Sequence, residues 1–165
     1  MSLSIRPAGL QDIQTIRTLA HDIWPKAYDT MISRAQRDYM LNWMYSPESL
    51  RQQMEAGHQF LLLETESGEA LGYAAYCPLS DTQWKLEKLY VRVEMHGQGL
   101  GKTLLENVME RIRQKGPTHL ELQVNRTNPA VGFYHKMGFQ ILREADFEIG
   151  NGFWMNDYIM GRPVQ

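Results

Sequence analysis

The sequence predicts a single α/β domain built on a mixed central sheet of about six to seven strands with helices on both faces. Three observations carry that prediction. The apolar pattern switches repeatedly between the strand repeat and the helix repeat, a glycine-rich loop joins a strand directly to a helix in mid-chain, and two strand-like runs close the sequence. A chain of 165 residues with 43% apolar content is of single-domain size and can bury a sizeable core without disulfides or a structural metal. No repeat, low-complexity tract or linker interrupts it, so residues 1–165 read as one domain.

Leu3 to Arg6 reads as a short first strand. Leu10 to Ile23 follows with Leu10, Ile13, Ile16, Leu19, Ala20 and Ile23 at helical spacing, and Pro25 is expected to stop that helix and leave Trp24 to Tyr28 as a connecting loop. A second helix is expected over Ser33 to Met44, then a short helical turn after Ser46-Pro47-Glu48. Gln59 to Glu64 and Ala70 to Cys77 read as strands of a hairpin turning at Ser67-Gly68, and Trp84 to Val93 as a third strand. Leu100 to Lys115 carries Leu100, Leu104, Leu105, Val108, Met109 and Ile112 on one helical stripe, and Gly116-Pro117 ends it. His119 to Val124 is the next strand. Pro129 to Met137 is a short helix with Asn128 as N-cap, Pro129 at its first position and Gly138 behind it. Strands over Phe139 to Phe147 and Phe153 to Met160 complete the order β-α-α-β-β-β-α-β-α-β-β.

Composition excludes several classes of function. A formal charge of −2 with acids and bases interspersed offers no footprint for nucleic acid or an anionic membrane. No apolar run approaches the roughly 20 residues a spanning helix needs, Phe60 to Leu63 being a short one. Cys77 is the single cysteine and Met1 to Arg6 has no signal-like apolar stretch, which together imply a cytoplasmic location. His21, His58, His96, His119 and His135 lack the spacing of a zinc motif, so no metal is expected.

The most informative segment is His96-Gly97-Gln98-Gly99-Leu100-Gly101-Lys102, set between a strand and a helix. Alternating glycines let the backbone approach a ligand closely and turn several N–H groups inward, and the helix N-terminus adds about half a positive charge, so the loop suits phosphate. Gly101-Lys102-Thr103 ends like a P-loop, but His96 occupies the position of its first glycine, which damages a phosphotransferase reading. A dinucleotide fingerprint fails in turn, because its third glycine would fall at Lys102 and the loop is not in the first strand–helix unit.

Downstream, Asn128-Pro129-Ala130, Phe133-Tyr134 and Gly138-Phe139 frame a short helix. With the His96 to Lys102 loop, this resembles the GCN5-related N-acetyltransferases (GNAT), whose motifs read Gln/Arg-x-x-Gly-x-Gly/Ala and Asn-x-x-Ala-x-x-Phe-Tyr-x-x-x-Gly-Phe. One departure is His96 in place of the leading Gln or Arg, which gives up the permanent charge of an arginine. Trp24-Pro25, Tyr28, Lys85 to Val91 and Asp157 to Met160 are more narrowly similar to bacterial polyamine or spermidine acetyltransferases of the PaiA type. The resemblance implies a GNAT-like sheet and an acetyl-CoA-dependent N-acetyltransferase acting on a primary amine, with a small cationic amine favoured and a homodimer possible among relatives. It further implies that the backbone of Leu89, Tyr90 and Val91 pairs with the pantetheine arm and that Gly97, Gln98, Gly99, Leu100, Gly101 and Lys102 hold the pyrophosphate with His96. Asn128 either caps its helix or bonds the pantetheine, and Lys136 reaches the nucleotide phosphates.

Acetyl transfer to nitrogen needs a base, because the amine has a pKa near ~10, and gains from an acid at the thiolate, whose thiol pKa is near ~8.5. The resemblance gives Tyr134 the acid role. Glu87 lies mid-strand, and strict alternation sets it with Leu89 and Val91 opposite Leu86 and Tyr90; burial there suits a base, while Lys85 and Lys88 offer it a paired-charge role instead. Trp24, Tyr28 and Trp154 are candidates to line the acceptor pocket. The altered position at His96 leaves a second reading, a non-catalytic acyl-CoA sensor.

Overall fold

The computed structural model describes residues 2–165. Its elements are β1 (Leu3–Ala8), α1 (Ile13–Ala27), α2 (Arg34–Tyr45), α3 (Pro47–Glu55), β2 (Gln59–Thr65), β3 (Ala70–Pro78), β4 (Gln83–Val91), α4 (Leu100–Arg113), β5 (His119–Asn125), α5 (Ala130–Lys136), β6 (Gln140–Gly150) and β7 (Phe153–Pro163), with single 3₁₀ turns before α1 and after β4. The seven strands form one sheet in the order β1-β2-β3-β4-β5-β7-β6. Every neighbouring pair is antiparallel except β4 and β5. The helical turn expected after Ser46 is a full third helix, capped by Ser46 Oγ, which accepts from Ser49 N at 3.1 Å.

Two apolar layers flank the sheet. One joins α1, α2 and α3 to Phe60, Leu62, Tyr73 and Ala75. The other joins the stripe of α4 to Leu61, Ala74, Leu86, Leu122 and Met160 and extends over Tyr134 and Phe139. Strand alternation divides each strand between the two layers, and this is why β2 and β3 read as continuous apolar runs.

Pro25 does not end α1; it lies inside it. A proline in the last turn removes only its own bond to the carbonyl four residues back, and Tyr28 N still donates to Trp24 O at 2.9 Å. Continuing the helix carries Ile23 and Trp24, 1% and 2% exposed, into the core and sets Tyr28 at its end.

Candidate active site

β4 and β5 pair only between Gln83–Leu86 and His119–Leu122. Beyond that point β4 stays with β3 and β5 stays with β7, so Glu87 to Val91 and Gln123 to Asn125 diverge. A cleft of about 640 Å³ opens in the gap, lined by Ala130 and Tyr134 from one face of the sheet and by Tyr28, Met40 and Trp43 from the other. Leu89, Tyr90, Val91, His96 and Asn128 border the same cleft. The splayed edge leaves backbone groups of β4 free to pair with an extended ligand.

Tyr134 is set by the short helix α5. The Asn128 side chain accepts from Ala130 N at 2.8 Å, which caps the helix; the regular helix itself begins at Ala130, one residue later than the sequence suggests. The Tyr134 ring packs edge-on against Phe133 and Phe139 at 5.2 and 5.7 Å. Burial, reinforced by the nearby Tyr28, pushes its hydroxyl well above the ordinary tyrosine range, so it holds its proton until a strongly basic atom arrives. Across the gap, the Tyr28 and Tyr90 hydroxyls meet at 2.8 Å, and burial pushes Tyr28 up to about 12. Trp24 lies beneath them with its ring 4.7 Å from Tyr28 and 5.7 Å from Tyr90, and its indole is core as much as wall.

Glu87 is not where alternation sets it. Ala75 pairs with Lys88 and Tyr76 with Leu86, so Glu87 is the extra residue of a β-bulge. Downstream of it Leu89 and Val91 join the α4 layer together with Leu86, while Glu87 shares the opposite face with Cys77 and Lys85. Its Oε1 is 3.4 Å from Lys85 Nζ and accepts from Cys77 Sγ at 3.7 Å. Lys88, on the same face, is buried above the rings of Tyr45 and Phe60 and donates to Gln53 Oε1 at 2.7 Å; burial brings its amine down to about 8. Burial pushes the Cys77 thiol up to about 11, which makes it a poor nucleophile. His58, Cys77 and Glu87 bring donor atoms within 4.8 Å of one another, but Lys85 and Lys88 beside them oppose a metal cation; burial, helped by Lys88 and Lys85, holds the His58 imidazole below its ordinary range.

The glycine loop is exposed from His96 to Gly99, and His96 borders the cleft. Gly97 and Gly99 take φ of 83° and 76°, and a Cβ on either would meet nothing within 4 Å, so backbone conformation rather than crowding calls for glycine. Gly99 is the N-cap of α4 and brings no side chain to cover its first amides. His96 turns back to the strand: its Nε2 lies 2.9 Å from the Val91 carbonyl oxygen, tying the loop to the end of β4 instead of aiming at a phosphate. Gln98 is exposed on the loop. Lys102, paired with Glu106 at 3.9 Å, and Lys136 lie apart from the cleft, together in a groove between α4 and α5 that Arg113 and Arg162 also line.

Trp154 stays outside the cleft. It is 48% exposed and alternates with Met155 and Asp157, which the β6–β7 hairpin turns inward, while its carbonyl accepts from Gln36 Nε2 at 2.7 Å. Asp157 is the functional candidate that residue-by-residue reading passed over. It is 3% exposed, lines the cleft beside Tyr28, and burial pushes its carboxyl up to about 6. The available signal was a lone acid at an inward position of a strand with apolar neighbours.

Residues 22–160 match the acetyltransferase (GNAT) domain family. The chain is 30% identical over 153 residues to an L-methionine sulfoximine/L-methionine sulfone acetyltransferase of Pseudomonas aeruginosa, covering 86% of this chain and 82% of that one. It is 28% identical over 149 residues to a spermidine N(1)-acetyltransferase of Thermoplasma acidophilum, covering 86% and 90%. The crystal structure of the PaiA N-acetyltransferase of T. acidophilum in complex with coenzyme A superposes with a TM-score of 0.83 at 25% identity, covering 99% of both chains. Among the described residues no helix is long and apolar enough to cross a membrane. With a splayed sheet, a glycine loop leading into α4 and these relatives, the chain belongs to the GNAT acetyltransferase family and is an N-acetyltransferase with acetyl-CoA as co-substrate.

Proposed function

We propose that this enzyme acetylates a small cationic primary amine, of the polyamine kind, by direct transfer in a ternary complex with no acetylated enzyme intermediate. The observation that carries the reading is the gap between β4 and β5, which has Tyr134 on its α5 side and three carboxylates, Glu87, Glu148 and Asp157, among its lining residues. The backbone of Leu89 to Val91 binds the pantetheine arm, the amides from Gly97 to Lys102 bind the pyrophosphate, and Lys102 and Lys136 attract the remaining phosphates. Tyr134 gives a proton to the departing sulfur. Glu87 draws the cation, but its oxygen is already shared between Lys85 and Cys77.

A second reading has a specific observation behind it. Lys85 and Lys88 also border the cleft, and the methionine sulfoximine acetyltransferase is a relative at 30% identity, so an amino acid whose carboxylate meets a lysine is the rival acceptor. CoA release from acetyl-CoA, measured over spermidine, spermine, lysine, methionine sulfoximine and short peptides, separates the two. The expected order puts the polyamines first in kcat/KM; turnover confined to amino acids would overturn the assignment.

A further inference from the structure

We infer that Asp157 is the general base of this enzyme, the group that takes the proton from the acceptor's ammonium; the inference rests on the transfer reading above. Two carboxylates are buried in the fold, Asp12 and Asp157. Asp12 is answered in full: Arg6 reaches both its oxygens at 2.9 and 3.2 Å, and Gly9 N donates at 2.9 Å. Asp157 is not answered. Arg126, the cation on the neighbouring loop, donates Nε to the backbone carbonyl of Asp157 at 3.1 Å and directs its terminal nitrogens to Asp146 at 2.7 Å and Glu144 at 3.9 Å. Among the described residues no ion pair reaches the Asp157 carboxylate. A buried carboxylate without an ion-pair partner is costly to keep, and this one lines the cleft between β4 and β5.

Its placement suits a base. Asp157 shares a strand face with Met155, which packs in the α1–α3 layer, so it stands on the face opposite α5 and Tyr134. Tyr28 lines the same cleft as both. Acid and base thus flank the gap from opposite faces. Asp157 takes one proton from the ammonium; the freed nitrogen forms the C–N bond as the C–S bond breaks and its electron pair leaves on sulfur. Tyr134 protonates the sulfur and recovers the second nitrogen proton, and Asp157 returns its proton to solvent, one per turnover. Burial sets its titration first and favours the neutral form; Arg126 and Lys85 favour the charged form, and Asp146 opposes it.

The test is the isosteric Asp157→Asn, read as a pH profile of kcat/KM alongside acetyl-CoA and spermidine affinities by calorimetry. Wild type is expected to show an acidic limb with a midpoint near about 6. The variant should lose that limb and fall about 10²–10⁴-fold in kcat/KM at neutral pH, with acetyl-CoA affinity within twofold. Activity within threefold of wild type, or a persisting limb that instead vanishes in Glu87→Gln, would overturn the assignment. A wild type that binds spermidine but acetylates nothing would sink the transfer reading separately; undiminished spermidine affinity in Asp157→Asn would then remove the carboxylate from the amine site as well.

Discussion

Gly72 offers a direct probe of the β4 edge. It faces Val91 across the β3–β4 ladder, and a Cβ there would lie 2.6 Å from the Tyr90 carbonyl oxygen and 3.3 Å from Val91 Cα. Ordinary contact starts at 3.4 Å, so the β4 backbone must retreat by about 0.8 Å, and no rotamer change relieves a clash with main-chain atoms. Gly72→Ala is therefore expected to cost about 1–3 kcal/mol, or roughly 3–10 °C in Tm for a domain of this size. The strand is pushed toward the gap, shifting Leu89 to Val91. A displacement near 1 Å in a positioning segment costs up to about 10²-fold in rate, and the loss should appear in kcat/KM for acetyl-CoA. Gly101→Ala is the control: its Cβ would meet only the Phe133 ring at 3.7 Å, so the helix should gain about 0.5–1 kcal/mol. Differential scanning fluorimetry reads both variants, and steady-state kinetics reads Gly72→Ala. A Gly72→Ala enzyme with wild-type Tm and wild-type KM for acetyl-CoA would refute the geometry and the role given to that edge.

Tyr134→Phe keeps the ring contacts with Phe133 and Phe139, so its Tm should stay within about a degree or two while kcat falls at least about tenfold, more at neutral than at high pH. Lys88 has a folded pKa near about 8 against an ordinary 10.5, so its charge opposes folding below that range and wild-type stability should rise as pH climbs from about 8 toward 10. Lys88→Met should lose that slope and exceed wild type by about 1–3 kcal/mol at pH 7 in urea titrations. Asp157, with a folded pKa near about 6 against 3.8, has the opposite window: stability falls as pH rises between those values. Asp157→Asn should therefore be more stable than wild type at pH 8 by about 1–2 kcal/mol, a figure reduced for water in the cleft, and no different at pH 3.

Much of the fold was legible because it rests on local patterns: the α4 stripe, the β2–β3 apolar runs and the glycines between β4 and α4 each state their own period or turn. The miss at Pro25 shows the limit of a local rule, since burial of Ile23 and Trp24 outweighs one lost bond in a final helical turn. The face of Glu87 was illegible for another reason. A bulge belongs to a pair of strands, and only the register against β3 reveals it. Asp157 depended on still more distant partners, because whether its carboxylate is paired turns on where β6 sends Asp146 and so on what Arg126 is free to do. His96 kept its place in the motif but not its direction, which its bond to Val91 decides.

The bulge has one more consequence. Without Glu87, β4 would alternate perfectly, with Trp84, Leu86, Leu89 and Val91 toward the α4 layer and Lys85, Lys88 and Tyr90 toward the other. The carboxylate therefore rides on a supernumerary position that neither layer requires for its packing. Replacing or deleting Glu87 would reassign no buried side chain of β4, so the acceptor chemistry offered there is uncoupled from the packing that holds the fold.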